Sequence, residues 1–429
     1  MLLAIDIGSS SVKAALLDGD AIVGEVAATP FATRFEGDRA EVDAEAVDAA
    51  IAAAVGQLNL ADIEAIGLTG MGPAWLAMDD RSRAITPIVT HQDRRSLEQA
   101  RAIEAAVGRE RHLALAGNRP TPGGISSTVA RWFVEQGDIG KATMVGHLPT
   151  YVGHRLTGRW AIDPSNAGFS GLMDVATGAW SEELCAAAKV PIAKLPAIVD
   201  AATPIGVTVP NPYGLSPSLP VFGGFVDGSG MLLAAGATAG TLGHSAGSTD
   251  VLALCLDRPM PRDGLLCRPL GTGGLWVSAA TQAAGGAAVG WARRLMFGEM
   301  SDADFARAFR RAADSAERDG PRFDPRLAGD RQQVDQPTAA LAGLTLSHDR
   351  HAVLAAIVRA LVDDHLARLA RLLTLADEAG VAVSPRVIVT GGGGALADLC
   401  HARWDSNAWR FDRVEQATLR GLSALQSAR

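Results

Sequence analysis

The chain has 429 residues, 48% of them hydrophobic and 20% charged, with a formal net charge of -8. That length exceeds what one hydrophobic core usually serves, so two domains are expected, and the acidic balance argues against nucleic acid or an anionic membrane surface, whose phosphates favour a basic face. Cys185, Cys255, Cys267 and Cys400 lie far apart with no CxxC pair, the N-terminus has no basic start, and no apolar run reaches the roughly 18 residues of a span, so a zinc site, disulfides, secretion and membrane insertion are not indicated and a cytoplasmic location is expected.

Apolar runs at 2–7, 12–17 and 21–28 read as three strands in a hairpin-rich start. Residues 42–58 have alanine-rich helical spacing, 66–69 read as a short buried strand, and 96–107 as a helix. Residues 203–220 carry five prolines and two glycines, a composition that disfavours either element type, and the domain junction is placed there. After it, 221–225 restarts a strand, 228–235 looks helical and 251–256 reads as a further strand. A long amphipathic helix over 352–375, a buried strand over 386–389 and a closing helix over 416–426 complete an α/β order in which the second half repeats the logic of the first.

Three glycine-and-hydroxyl stretches are set against apolar runs: 2–13, which contains Asp6-Ile7-Gly8-Ser9-Ser10-Ser11-Val12-Lys13; 240–249, which ends in Gly247-Ser248-Thr249; and 387–394, Val387-Ile388-Val389-Thr390-Gly391-Gly392-Gly393-Gly394. They read as one divided phosphate cradle, because glycine lets backbone N–H groups approach closely and hydroxyls donate without bulk.

These stretches resemble motifs of the FGGY carbohydrate kinases, and the resemblance covers nearly the whole chain. The first is similar to that family's first phosphate motif, and Gly247-Ser248-Thr249 to its Gly-Thr-Ser, with serine and threonine exchanged. Between them, Gly67-Leu68-Thr69-Gly70, Gln92-Asp93-Arg94-Arg95, the Tyr151 to Gly158 stretch with Asp163-Pro164-Ser165-Asn166-Ala167, and Pro220 to Asp227 resemble successive family segments. Ala284-Gly285-Gly286 with Trp291, and Gly391 to Gly393, resemble its nucleotide-facing elements. The resemblance implies two ribonuclease H-like lobes of the actin-like ATPase fold, shared with hexokinase and the Hsp70 ATPase, around a central cleft. Residues 1–219 would form a sugar-binding lobe and 220–429 a nucleotide-binding lobe. ATP and Mg²⁺ are the implied cofactors and a small sugar or polyol the partner. A homodimer is compatible with these features without being dictated by them.

Transfer of a γ-phosphoryl group needs a positioned donor, magnesium to offset its charge, and an acceptor hydroxyl relieved of its proton. Asp6, at a strand end, suits magnesium, a hard ion that favours carboxylate oxygen; alternatively it satisfies nearby loop N–H groups. Gly8, Ser9, Ser10 and Ser11 would contact phosphate, and Lys13 is either a phosphate contact or a solvated strand residue. Asp227 stands where a helix should start and would make a good N-cap; the resemblance assigns it as general base for the sugar hydroxyl. Gly247, Ser248, Thr249, Gly286, Gly391, Gly392 and Gly393 face phosphate or nucleotide in this reading, although the last three also suit a tight strand-to-helix turn. Met71, Gly72 and Pro73 would line the substrate, and Asp93 would bind its hydroxyls, with Arg94 and Arg95 in structural ion pairs. His91, His244 and His351 share no ligand spacing and read as incidental polar residues. Trp75, Trp132 and Trp276 either stack on sugar or belong to the core.

The departures concern substrate. Where the xylulose kinase branch has Gly-Gln-Met-His-Gly, this chain has Gly70-Met71-Gly72-Pro73-Ala74, so two sugar-binding polar side chains are missing, which alters the hydroxyl pattern a pocket prefers. His91 replaces a tryptophan, no lysine lies between Gly124 and Trp132, and Arg359 stands where glutamate is usual. A ketopentose such as xylulose or ribulose is the leading acceptor; the alternatives are a kinase of a polyol or another sugar, and a non-catalytic sugar- or nucleotide-binding regulator on the same fold.

Overall fold

The computed structural model describes residues 1–137, 139–314, 320–392, 394–404 and 408–426. The elements follow the apolar runs: β1 (Leu2–Ile7), β2 (Ser11–Asp18), β3 (Ala21–Pro30), α1 (Ala44–Val55), β4 (Ala65–Gly70), α2 (Pro164–Ser170), β5 (Pro204–Val207), β6 (Pro220–Val226) and α3 (Asp227–Ala234). Then come β7 (Leu242–Ala246), β8 (Asp250–Leu256), α4 (Gly285–Met296), the 30-residue α5 (Arg350–Ala379), β9 (Arg386–Thr390), α6 (Gly394–His401), β10 (Arg410–Arg413) and α7 (Ala417–Gly421). No helix among the described residues is long and apolar enough to cross a membrane.

The chain forms two compact units: Met1–Ala239 with Cys255–Ser278 and Gln416–Arg429, and Gly240–Leu254 with Ala279–Glu415. This differs from the division expected at 219/220. The reason is pairing: β6 lies parallel to β4, with Val221 beside Ile66 and Val226 beside Gly70, so the chain cannot leave the first unit until that strand and α3 are laid down.

In the first unit the main sheet runs β5-β6-β4-β1-β2-β3. The β1–β2–β3 hairpins are antiparallel, and β4 adds to β1 in parallel. That is the strand order of a ribonuclease H-like lobe. The core strands read as near-continuous apolar runs because both faces are covered: Leu3, Ile5, Ile7, Ile66, Leu68 and Val221 are wholly buried. α1 offers Val47, Ile51 and Ala54 at helical spacing to this core. It starts at Ala44 rather than 42, because Asp43 caps it through a 3.0 Å bond from Glu45 N and Val42 ends a strand, Arg39–Val42, that the helical spacing concealed. The proline-rich stretch is also not structureless, since β5 pairs with β6. β5 lies at the sheet edge with Pro204 as its first residue, the positions where a strand tolerates proline.

In the second unit, β7 pairs antiparallel with β8 and parallel with β9, which pairs parallel with β10. This repeats the hairpin-then-parallel arrangement of β2, β1 and β4. α5 packs Leu354, Ile357, Val358, Leu361 and Val362 into this unit's core with Phe297, Phe305 and Phe309.

Candidate functional site

Parallel strands converge two acids at the carboxyl end of one sheet. Asp6, near the carboxyl end of β1, lies beside Thr69 on β4, and Thr69 pairs with Phe225 on β6, two residues before Asp227. At a strand spacing of about 4.8 Å, β1 and β6 stand roughly 10 Å apart across β4. The carboxyl ends of adjacent parallel strands are where α/β sheets collect ligands. Asp6 and Asp227 therefore stand on one unit, rather than on the two lobes expected from the sequence.

The aim of Asp227 depends on a bulge. Register shifts between Phe222 and Phe225, Gly224 adopts φ +79, and a Cβ there would sit 1.4 Å from Leu68 O. Only glycine fits. The Thr69 hydroxyl donates to Phe225 O at 2.8 Å and closes the kink. Helix α3 starts at Asp227 itself, with Val226 in the capping position, so the expected N-cap role is not the one observed. The Asp227 carboxylate instead accepts from Gly228 N at 2.7 Å, an acid in a helix first turn where the dipole favours it.

Two supports hold this turn. Asp163 caps α2, accepting from Ser165 N at 2.8 Å, Asn166 N at 3.1 Å and Asn166 Nδ2 at 2.6 Å. The Ser165 hydroxyl donates to Asp163 and accepts from Val226 N at 3.0 Å. Arg268, on the strand Leu266–Pro269, is buried over the Phe169 ring and donates to Ser229 Oγ at 2.6 Å and Pro269 O at 3.0 Å. Burial draws its pKa down to about 10, opposed by the charges of Asp227 and Asp163.

Asp6 is half-buried, its Oδ1 is shielded, and that oxygen has no hydrogen-bond partner among the described residues. Burial pushes its pKa up to about 7, the Asp227 charge adds to the rise, and Lys13 opposes it. The reading of Asp6 as a carboxylate satisfying loop N–H groups does not match an orphaned oxygen. A shielded carboxylate oxygen next to a second acid fits a hard divalent cation such as Mg²⁺. Lys13 lies opposite Asp6 on β2, with Nζ 3.4 Å from Gln416 Oε1. The loop between them turns through Gly8 N to Ser11 O at 3.0 Å and leaves Ser9 and Ser10 exposed. On the other side of β1, Met71 N, just past β4, donates to Ile7 O at 2.9 Å. Met71 is buried, and a Cβ on Gly72 would lie 2.3 Å from Val226 Cγ1, so the Met71-Gly72-Pro73 turn abuts the residue preceding Asp227.

Asp93 is not available to a ligand. Its Oδ2 accepts from Ala40 N at 2.8 Å and Arg95 Nη2 at 2.6 Å, and its Oδ1 from Arg95 N at 3.1 Å and Nε at 3.0 Å. Arg95 also pairs with Glu41 at 2.7 Å, a structural ion pair as expected, whereas Arg94 instead donates to the carbonyls of His91, Asp93 and Pro122. Trp75 is buried and stacks on Phe133 at 5.2 Å, a core residue.

The second unit gathers the remaining loops. Gly247-Ser248-Thr249 is the tip of the β7–β8 hairpin, closed by Gly247 N to Thr249 O at 2.9 Å. Gly286 N and Ala287 N, at the start of α4, donate to Gly247 O and Ser248 O at 3.0 Å each. Gly391 follows β9 at φ +90, and a Cβ there would lie 2.3 Å from Ala246 O; its glycine serves the turn, while Gly392 faces open space. Gly393 lies outside the described residues. Beneath the hairpin, Asp250, His244, His365 and Arg368 form a buried cluster. No local pattern in the sequence marks it, because His365 and Arg368 lie 115 and 118 positions from Asp250; His244, expected to be incidental, is one of its members.

The profile described as the N-terminal domain of the FGGY family of carbohydrate kinases matches residues 1–234. A xylulose kinase from Escherichia coli (strain K12) is 26% identical over 418 residues, covering 93% of this chain and 83% of that protein. A glycerol kinase from Rhodospirillum centenum is 31% identical over 246 residues, which is 52% of this chain, and the match spans only 47% of that relative's length. Among solved structures, the xylulose kinase from Rhodospirillum rubrum superposes with a TM-score of 0.85 at 25% identity, covering 99% of this chain and 88% of that one. With its α/β units of the actin-like ATPase fold, the chain belongs to the FGGY family of carbohydrate kinases.

Proposed function

We propose that this protein transfers the γ-phosphoryl group of Mg-ATP to a hydroxyl of a small sugar, with a ketopentose, xylulose or ribulose, as the leading acceptor. The observation that carries the reading is the convergence of Asp6 and Asp227 at the carboxyl end of one sheet, close enough for the charge of Asp227 to raise the pKa of Asp6. The names of the xylulose and glycerol kinases among the relatives support a sugar or polyol acceptor.

Asp227 takes the proton of the acceptor hydroxyl as that oxygen bonds to the γ-phosphorus. The bond from the γ-phosphorus to the β–γ bridging oxygen breaks and ADP leaves with its electron pair. Magnesium, when held by Asp6, supplies the positive charge that offsets the phosphates. Ser9, Ser10, Ser11 and Lys13 supply donors to phosphate. In the second unit, taken by itself, the phosphate donors are the Ser248 and Thr249 hydroxyls, since Gly247 N and Gly286 N are used in closing the hairpin tip. Met71, Gly72 and Pro73, against Val226, position the sugar. The Arg268 guanidinium and the Asp163–Ser165 bonds fix the Asp227 turn, so little reorganisation is left for the reaction itself.

A coupled ADP-release screen over pentuloses, hexuloses, polyols and sugar acids tests the reading. A sugar-dependent rate with at least one acceptor is expected. ATP hydrolysis indifferent to every acceptor, or no ADP from any of them, would overturn it.

A further inference from the structure

Asp250 opens β8 directly after Thr249 and pairs with Ala246 across the hairpin. Its carboxylate is buried and accepts from His244 Nε2 at 2.7 Å, Arg368 Nη2 at 2.7 Å and His365 Nδ1 at 3.1 Å. Arg368 Nη1 also donates to the Asp250 carbonyl at 3.1 Å and to Ala280 O at 3.3 Å, and its Nε to Asp364 at 2.7 Å. An outer ring completes the set: Trp404 Nε1 donates to His365 Nε2 at 3.2 Å, and His401 Nε2 lies 2.8 Å from His244 Nδ1. His244, Asp250 and His365 bring ligand atoms within 4.8 Å of one another. A cation is nonetheless not what they fit, since Arg368 already places a positive charge on the carboxylate and the imidazoles are spent on hydrogen bonds.

The cluster ties the Gly247–Thr249 hairpin to α5 and to α6. Asp250 belongs to the hairpin, His365 and Arg368 to α5, and His401 ends α6, the helix that follows the Gly391–Gly392 turn. The fit is close on the remaining side too, where a Cβ on Gly285 would lie 2.7 Å from Asp250 Cβ, while Gly286 and Ala287 bond the hairpin tip. Although burial by itself would raise the pKa of Asp250, hydrogen bonds from His244 and His365 and the charge of Arg368 hold it well below the usual carboxylate range. Asp250 is thus a fixed anion at the base of the loop.

We propose that Asp250, gripped by His244, His365 and Arg368, is a positioning residue for the nucleotide phosphates, setting the Gly247-Ser248-Thr249 tip against the start of α4 without touching the ligand. The proposal rests on the kinase reading, in which that tip meets phosphate. Donors fixed before binding cost the ligand no ordering, so loosening the base weakens nucleotide affinity and leaves the sugar side and the chemical step alone.

The test uses the full chain and its variants Asp250→Asn, His401→Gln and Ser248→Ala, with ADP affinity by calorimetry and initial rates at varied ATP and sugar. Asp250→Asn keeps the shape and removes the charge. It is expected to raise ADP Kd and the KM for ATP by about 10- to 100-fold, the range of a lost charged hydrogen bond. Its kcat at saturating ATP and its KM for sugar stay within about twofold in this account. His401→Gln, which disturbs only the outer ring, raises nucleotide Kd by a smaller factor and serves if Asp250→Asn does not fold. Native ADP affinity in the variants that fold, or equal losses in kcat and in both KM values, overturns the proposal. Wild-type protein that binds no nucleotide would instead remove the kinase reading, on which Ser248→Ala reports directly.

Discussion

Replacing Asp6 with asparagine should stabilise the free protein at alkaline pH. Folding raises the Asp6 pKa from 3.8 to about 7, so the folded state holds its proton more tightly than the unfolded state. A group raised in this way contributes stability below its unfolded pKa and loses it as pH climbs through the folded value. A rise of about three units corresponds to roughly 4 kcal/mol at 1.36 kcal/mol per unit. Asp6 is only half-buried, and solvent screening cuts this to about 2 kcal/mol. The asparagine side chain carries no charge at any pH, so Asp6→Asn should gain that amount at pH 8 and nothing at pH 4. At about 2 °C per kcal/mol for a large unit, the first thermal transition should rise by about 4 °C. Scanning calorimetry at both pH values, with and without Mg-ATP, reads it. The variant should gain less than wild type from Mg-ATP and have little turnover, an exchange of stability for function. A variant less stable than wild type at pH 8, or a gain independent of pH, would refute the reasoning.

Arg268→Met should destabilise the first unit by about 3–5 kcal/mol, because Asp163 and Asp227 lose the buried cation facing them, while Arg268→Lys should lose less; denaturant titration distinguishes the two. Gly224→Ala should fail to accumulate as folded protein, since its Cβ would meet Leu68 O at 1.4 Å, and soluble yield with circular dichroism checks this. In the second unit, burial and the neighbouring His244 and His365 push the His401 pKa down to about 3, and burial also lowers His365. The unfolded state therefore takes up protons that the folded state refuses, so stability of this unit should fall as pH drops below about 6.5. Native-state hydrogen exchange of β7 and β9 at pH 7 and pH 5 would show it, and equal protection after correction for intrinsic rates would contradict it.

What could be read from the sequence was local. The apolar runs that became β1, β2, β4, β6 and β9 are buried on both faces, so their composition alone announced them. Asp6 and Asp227 stood out because each closes such a run beside glycines. Thr33–Glu36 and Arg39–Val42 escaped because short strands with charged residues carry no apolar signature, and β5 because its prolines are harmless only at an edge. Asp93 looked like a ligand group for want of knowing that Ala40 N and Arg95 consume its oxygens. The Asp250 cluster was unreadable for the same reason, since its bonds join hairpin, α5 and α6 across more than a hundred residues. The division into units turned on strand pairing, which proline content does not report.

The most direct measurement is a single-turnover reaction with ATP labelled at the γ-phosphate, comparing wild type with Asp227→Ala on the best acceptor. The account expects label to move to the sugar in wild type, about 10²- to 10⁴-fold more slowly in the variant, with nucleotide affinity unchanged. Equal rates in the two proteins, or label appearing only as inorganic phosphate, would contradict it.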